Sequence, residues 1–141
     1  MSWLQRLRDL AGKRETAGLT PDTPGLRIVV RAFDPAVADS AVLGAASGWT
    51  AGAPAVLTHH LSLPAERLAE AAAILAQDGY ELREQRPDGD RVLAHAVRVQ
   101  VLDALHCAQE RARMAGLAQR LGGDALGWDA RQPGESPTTS A

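Results

Sequence analysis

Five side chains in this sequence could ligate a soft or borderline metal ion: His59, His60, His95, His106 and Cys107. Imidazole and thiolate are common zinc ligands, and two of them on neighbouring strands, ~4.8 Å apart, could share one ion. His59 and His60 are consecutive, so on a strand they point to opposite faces, and only one can stand across from His95. His106 and Cys107 fall on the helix that follows. No HxxxH or CxxC spacing supplies a third convergent ligand. The simpler expectation is a histidine pair hydrogen-bonded within a sheet. His59, His60 and His95 remain the alternative set for a metal-sensing or small-ligand domain, while the leading reading expects no metal and no other cofactor.

Nucleophilic catalysis would need Cys107 or a serine beside a positioned base. His106 adjoins Cys107, but consecutive helical residues project about 100° apart and do not face each other. GxSxG, P-loop and GxGxxG motifs are absent, and Gly122-Gly123 follows a helix where phosphate-binding loops precede one. The carboxylates lie on predicted helix surfaces and in turns, away from apolar positions that would raise their pKa. These observations point away from an enzyme.

The elements that must position these residues are legible in the spacing. Residues 1–14 predict a short amphipathic helix, with Trp3, Leu4, Leu7, Leu10 and Ala11 at three- to four-residue intervals. ETAGLTPDTPG (15–25) is a linker, and Leu26 to Phe33 has the β-branched content of a strand. Asp34-Pro35 offers an N-cap and first-turn proline for a helix over 35–46, and Gly48 to Pro54 is a loop. Val56 to Ser62 predicts a strand ending at Ser62 as N-cap of a helix over 64–78, whose stripe is Leu68, Ala71, Ala72, Ile74 and Leu75. Gly79 sits where a C′ glycine belongs, with Tyr80 folding back onto the helix. Tyr80 to Gln85 is a strand, Arg86 to Asp90 a turn, and Arg91 to Val101 an alternating return strand. A second helix spans Leu102 to Leu121, with Leu105, Ala108, Ala112, Ala115, Leu117 and Leu121 on its apolar side. Leu126 to Arg131 is a final strand.

From residue 55 onwards the order is strand, helix, strand, strand, helix, strand. That is a ferredoxin-like split βαβ arrangement, α+β, with two helices on one face of a four-stranded antiparallel sheet. The expected domains are an N-terminal helix and strand annex (1–52), the ferredoxin-like domain (53–132) and a disordered tail (133–141). The annex is expected to cover the other sheet face, because Trp3, Phe33 and Trp49 need burial. The two central strands carry no Phe, Tyr or Trp, which argues against an RNA-recognition module stacking bases there.

Composition narrows the class further. The sequence has 141 residues, 15 basic and 17 acidic side chains, and a net charge of −2, so wholesale nucleic-acid binding is disfavoured. No apolar run approaches the ~20 residues of a membrane span, and the first ten residues lack the apolar core of a secretory signal. A single cysteine excludes an intrachain disulfide and suits a reducing cytoplasm. Arg supplies 14 of the 15 basic residues, which reads as a GC-rich bacterial coding background.

Four segments in order complete this reading: AVLTHHLS, a helix ending in DGYEL, RVLAHAVRVQVLDA, and ERARMAGLAQRLGGDALGWD. Together, over Ala55 to Arg131, they resemble the regulator of ribonuclease activity B, a family of protein inhibitors of ribonuclease E. The resemblance implies the same ferredoxin-like fold and a non-catalytic module that binds a ribonuclease E-type protein outside its catalytic half. It directs attention to His59, His60, Gly79, Gly127 and Trp128 as positions serving the fold or a partner contact, and supplies no catalytic residue. Direct nucleic-acid or membrane contact is not implied, and oligomeric state is left open.

Overall fold

A computed structural model describes residues 18–134, so the helix expected over 1–14 lies outside the described residues. The chain builds one five-stranded antiparallel sheet in the order β1-β5-β2-β4-β3, with three α-helices. The strands are β1 (Leu26–Ala32), β2 (Pro54–Pro64), β3 (Glu81–Asp88), β4 (Arg91–Val101) and β5 (Asp124–Pro133). The helices are α1 (Asp39–Ala45), α2 (Leu68–Ala76), entered through a 3-10 turn at Ala65–Arg67, and α3 (Ala104–Arg120).

Five strands replace the four expected, because the annex strand β1 pairs with β5 from Leu26↔Pro133 to Ala32↔Trp128. Its Val30 and Ala32 are buried with Leu57, Trp128 and Ala130, so β1 completes the core. A second cluster joins Leu61, Leu63 and Ala96 of the sheet to Ala71 and Leu75 of α2 and Met114, Leu117, Ala118 and Leu121 of α3. Both clusters lie on the same face, since Leu57, Leu61 and Leu63 are separated by even numbers of residues along β2.

Several boundaries differ from the sequence reading. The helix expected over 35–46 starts only at Asp39, because the Asp34 carboxylate accepts the Ala36 N–H (2.9 Å) and holds a turn there instead. Ser62 is no helix cap: β2 continues to Pro64, and Ser62 pairs with Leu93 on one side and Asp124 on the other. Arg86 and Pro87 belong to β3, leaving Gly89 and Asp90 as a two-residue turn between the paired Asp88 and Arg91. In α3 the buried residues are Cys107, Met114, Leu117 and Ala118, whereas Leu105 is 64% exposed and Ala108 and Ala112 face solvent. Leu117 and Leu121 of the expected stripe are buried, but its Leu105, Ala108, Ala112 and Ala115 are exposed, because Ala is tolerated anywhere on a helix and does not mark its inner face. The true phase is set by Asp103, whose carboxylate caps the His106 N–H (2.8 Å), and by inward-facing Glu110.

Glu110 meets β4 in a polar tie beneath the helix. The Arg98 guanidinium donates to Glu110, to Gln100 Oε1 and to the Asp78 carbonyl (2.8 Å) at the end of α2, while lying 4.2 Å above the Tyr80 ring. Gly79 and Gly122 end their helices at φ near +80°, each as the C′ residue of a Schellman turn. After the first, Tyr80 N–H returns to the Leu75 carbonyl (3.0 Å), and after the second, Gly123 N–H returns to Ala118 (2.8 Å). Gly79 thus serves the fold, and Tyr80 packs back into the core as expected.

Trp128 is fully buried, and its indole N–H donates to Asp39 Oδ1 (3.2 Å), which also receives Arg111 (2.8 Å). Trp49 packs on the same core and donates to the Leu43 carbonyl (3.1 Å). Gln132 clasps the loop before β2 by accepting from Thr50 N–H (2.7 Å) and donating to its carbonyl (3.0 Å). β5 extends to Pro133, and Gly134 N–H donates to the Gly25 carbonyl (2.8 Å), so the chain stays ordered past the expected tail boundary. Asp39→Ala would leave the indole N–H and the guanidinium without their shared acceptor. We expect it to cost about 2–4 kcal/mol by urea unfolding, and Asp39→Asn to cost less because its Oδ1 still accepts.

Candidate functional site

The face of the sheet away from the helices carries the chemistry. Antiparallel register places Phe33, Gly127, His60, His95 and Arg83 in one row across all five strands: Gly127↔His60, His60↔His95 and His95↔Arg83 are direct partners, and Phe33 follows Ala32↔Trp128. Two residues along each strand, Arg31, Asp129, Thr58, Val97 and Glu81 form a second row. Period-two alternation requires that His60, Thr58, His95 and Asp129 share this face once Leu57, Leu61 and Trp128 point into the core.

His60 is the hinge of the arrangement. Its Nε2 lies 2.6 Å from Asp129 Oδ2, and since an ionised carboxylate only accepts, the imidazole donates. Its ring meets His95 edge-on, with centroids 4.2 Å apart at 64°, and meets Phe33 at 4.9 Å and 66°. Burial holds His95 below the usual imidazole range, and the neighbouring His60 adds to that. Asp129 Oδ1 and Arg131 Nε are buried without a hydrogen-bond partner among the described residues.

Phe33 reaches His60 only because Gly127 has no side chain. Gly127 sits at φ +143°, and a Cβ there would stand 2.6 Å from the Ala32 carbonyl oxygen and 2.6 Å from the Phe33 ring. Part of the face is covered by the segment before β1. Leu19 packs on Val56 and Val97, and Asp22 makes two hydrogen bonds to Arg83 (2.8 and 3.0 Å). Among the described residues, cover from the annex is therefore partial: Phe33 stays 43% exposed, and Trp49 is on the opposite side of the sheet.

The histidines divide as the alternation required. His60 is the one that faces His95, while His59 points into the core beside Tyr80, with ring centroids 5.8 Å apart. His59 lines a cavity of about 170 Å³ under α3, and its Nε2 has no partner among the described residues. Burial, then repulsion from Arg98, His60 and Arg111, lowers its pKa from 6.5 to about 3, so the folded ring is neutral. His106 is on the outer side of α3, paired with Asp103. Cys107 is buried, and its thiol is pushed up to about 12, mainly by burial, so it is no nucleophile near neutral pH. Among the described residues, no three His, Cys, Asp or Glu side chains are grouped to hold a metal ion.

Sequence reasoning missed Asp129 and Arg131 as members of this face, and expected Phe33 there as buried cover, whereas its ring meets His60 and stays 43% exposed. The signal was present: Gly127-Trp128-Asp129 on a strand sends Trp128 and Asp129 to opposite sides. Recognising it required knowing that β5 lies beside β2.

The densest polar chemistry of this α+β fold is thus spread over two rows of side chains on one open sheet face. Residues 43–130 match the family model of the regulator of ribonuclease activity B, and the chain belongs to that family. The match starts within α1 and ends in β5, so it takes in the Met114 cluster, the Trp128 cluster apart from Val30 and Ala32 of β1, and the His60 row apart from Phe33, beginning earlier than the motifs at Ala55. No curated protein and no solved structure matches the chain.

Two measurements probe this geometry. Gly127→Ala should cost about 2–4 kcal/mol in thermal or urea unfolding, because the backbone is left-handed and the neighbouring carbonyl must move. Gly116→Ala, in α3 with nothing within 4 Å of the added Cβ, should instead stabilise by up to about 1 kcal/mol. For His59, the unfolded ring takes a proton near pH 6.5 and the folded ring only near about 3. Between those values the unfolded chain binds the extra proton. The stability from His59 is therefore complete above about 6.5 and falls as the pH drops towards 3, by up to about 1.4 kcal/mol per pH unit. His59→Leu should flatten the stability profile across that window.

Proposed function

We propose that this protein regulates, by inhibition, an endoribonuclease of the ribonuclease E type, binding it outside its catalytic half and altering RNA turnover without cutting RNA itself. The observation that carries the reading is the family match across residues 43–130. Supporting it, the described residues hold no paired nucleophile and base: Cys107 is a buried thiol, His59 a buried neutral imidazole, and His60 is engaged with Asp129. The mechanism is occupancy: a folded surface docks and shifts which RNAs the enzyme reaches or which assembly it joins. We place the action in the cytoplasm, where Cys107 remains a thiol; no helix among the described residues is long and apolar enough to cross a membrane.

The test uses the full chain as bait in nuclease-treated lysate of the native host. Recovery of a ribonuclease E-type enzyme is expected. The purified chain should then slow RNA cleavage by that enzyme while leaving the same RNA intact when incubated alone. Failure to recover any ribonuclease, or hydrolysis by the pure chain with ordinary saturation kinetics, would sink the reading.

A further inference from the structure

The open face carries charge and apolar surface in a pattern that specifies what fits it. Two depressions flank the His60–His95 pair. One, of about 380 Å³, is lined by Thr58, Asp129 and Arg131 among others; the second, of about 420 Å³, includes Arg86, Leu93 and Leu126. Arg83 is already neutralised by Asp22 and Glu81, and Arg91 by Asp124. Arg31 and Arg86 are exposed at opposite edges of the sheet and have no acidic partner among the described residues, and Arg131 has none either. Near the row's β1 end, Phe33 and Leu126 are 43% and 44% exposed. Aromatic and aliphatic side chains rimmed by unpaired arginines are the composition of a protein-binding hot spot.

We infer that this face is the docking surface for an extended acidic peptide segment of a partner protein, with aromatic or aliphatic residues seated over the Phe33–His60–His95 row and carboxylates reaching Arg31 and Arg86. The span agrees: five strands at ~4.8 Å spacing put β1 and β3 about 19 Å apart. Arg31, in the Thr58 row, and Arg86, in the Ser62 row, are also offset by about 13 Å along the strands, so ~23 Å separates them, the reach of roughly seven extended residues. Single-stranded RNA is a poorer occupant. The three rings meet edge to face, so His60 is wedged between its neighbours and offers no free flat face for a base to stack on. A second copy of the same face would set unpaired arginine against unpaired arginine. The inference rests on the regulator reading only for which protein supplies the segment.

Panning the full chain against a displayed library of random peptides about ten residues long tests the surface with no ribonuclease present. Enrichment of sequences with Asp or Glu flanking Phe, Trp or Leu is expected. A synthetic winner should bind about tenfold or more weakly to Arg31→Glu and to Arg86→Glu, and unchanged to Arg120→Glu on the exposed side of α3. Basic or uncharged winners, no winners, or equal binding by all three variants would overturn the inference. So would a decauridylate that binds the wild type at about 0.15 M salt and is lost in Arg31→Glu and Arg86→Glu, which would assign the face to RNA. Acidic winners without any ribonuclease in the pull-down would uphold the surface and remove the regulator reading. A recovered ribonuclease with no acidic winners would do the reverse.

Discussion

Strand β2 pairs with β4 along eleven residue positions and with β5 along seven, and that double pairing leaves its side chains two directions only. Leu57, His59, Leu61 and Leu63 take the helix side; Thr58, His60 and Ser62 take the other. A register slip of β2 by one residue would send three leucines to the open face and bury His60 away from its carboxylate partner on β5. The apolar side therefore enforces the polar one. Two helices and the annex strand bury the leucines, and the position of His60 opposite His95 and Gly127 follows without any interaction of its own having to specify it.

Two devices hold the neighbouring strands to that register. Asp39, almost fully buried, takes the Trp128 indole and the Arg111 guanidinium together, fastening β5, α1 and α3 at one point. Arg98 does the same for β4, α3 and the end of α2, where it also covers the Tyr80 ring. Both are charged groups drawn under helices, which is favourable only when their hydrogen bonds are met. They constrain which helical face turns inward, and so explain why α3 exposes Leu105 while burying Met114.

Gly127 links the architecture to the open face. It lies between Trp128, which must be buried, and the close approach of β1 at Ala32–Phe33. The missing side chain allows Phe33 to cross β5 and touch His60, joining three strands in one aromatic row.

Strand and helix existence was largely legible in the sequence. Val56–Ser62, Arg91–Val101 and the Gly79 and Gly122 helix stops follow from local alternation, propensity and backbone chirality, which act within a few residues. The separation of His59 from His60 is equally local, being a property of any strand. The α3 stripe was legible only at Leu117 and Leu121, since alanines balance the periodicity earlier in the helix and the deciding partners, Arg98 and Asp39, lie on other elements. The first strand was legible over Leu26 to Phe33, but its place at the edge of the sheet was not, because an edge strand is defined by the neighbour it bonds. Sequence by itself determined which residues alternate and where helices stop; only the tertiary structure decided that Phe33, His60, His95 and Asp129 meet, because strand order joins segments almost a hundred residues apart and nothing local records it.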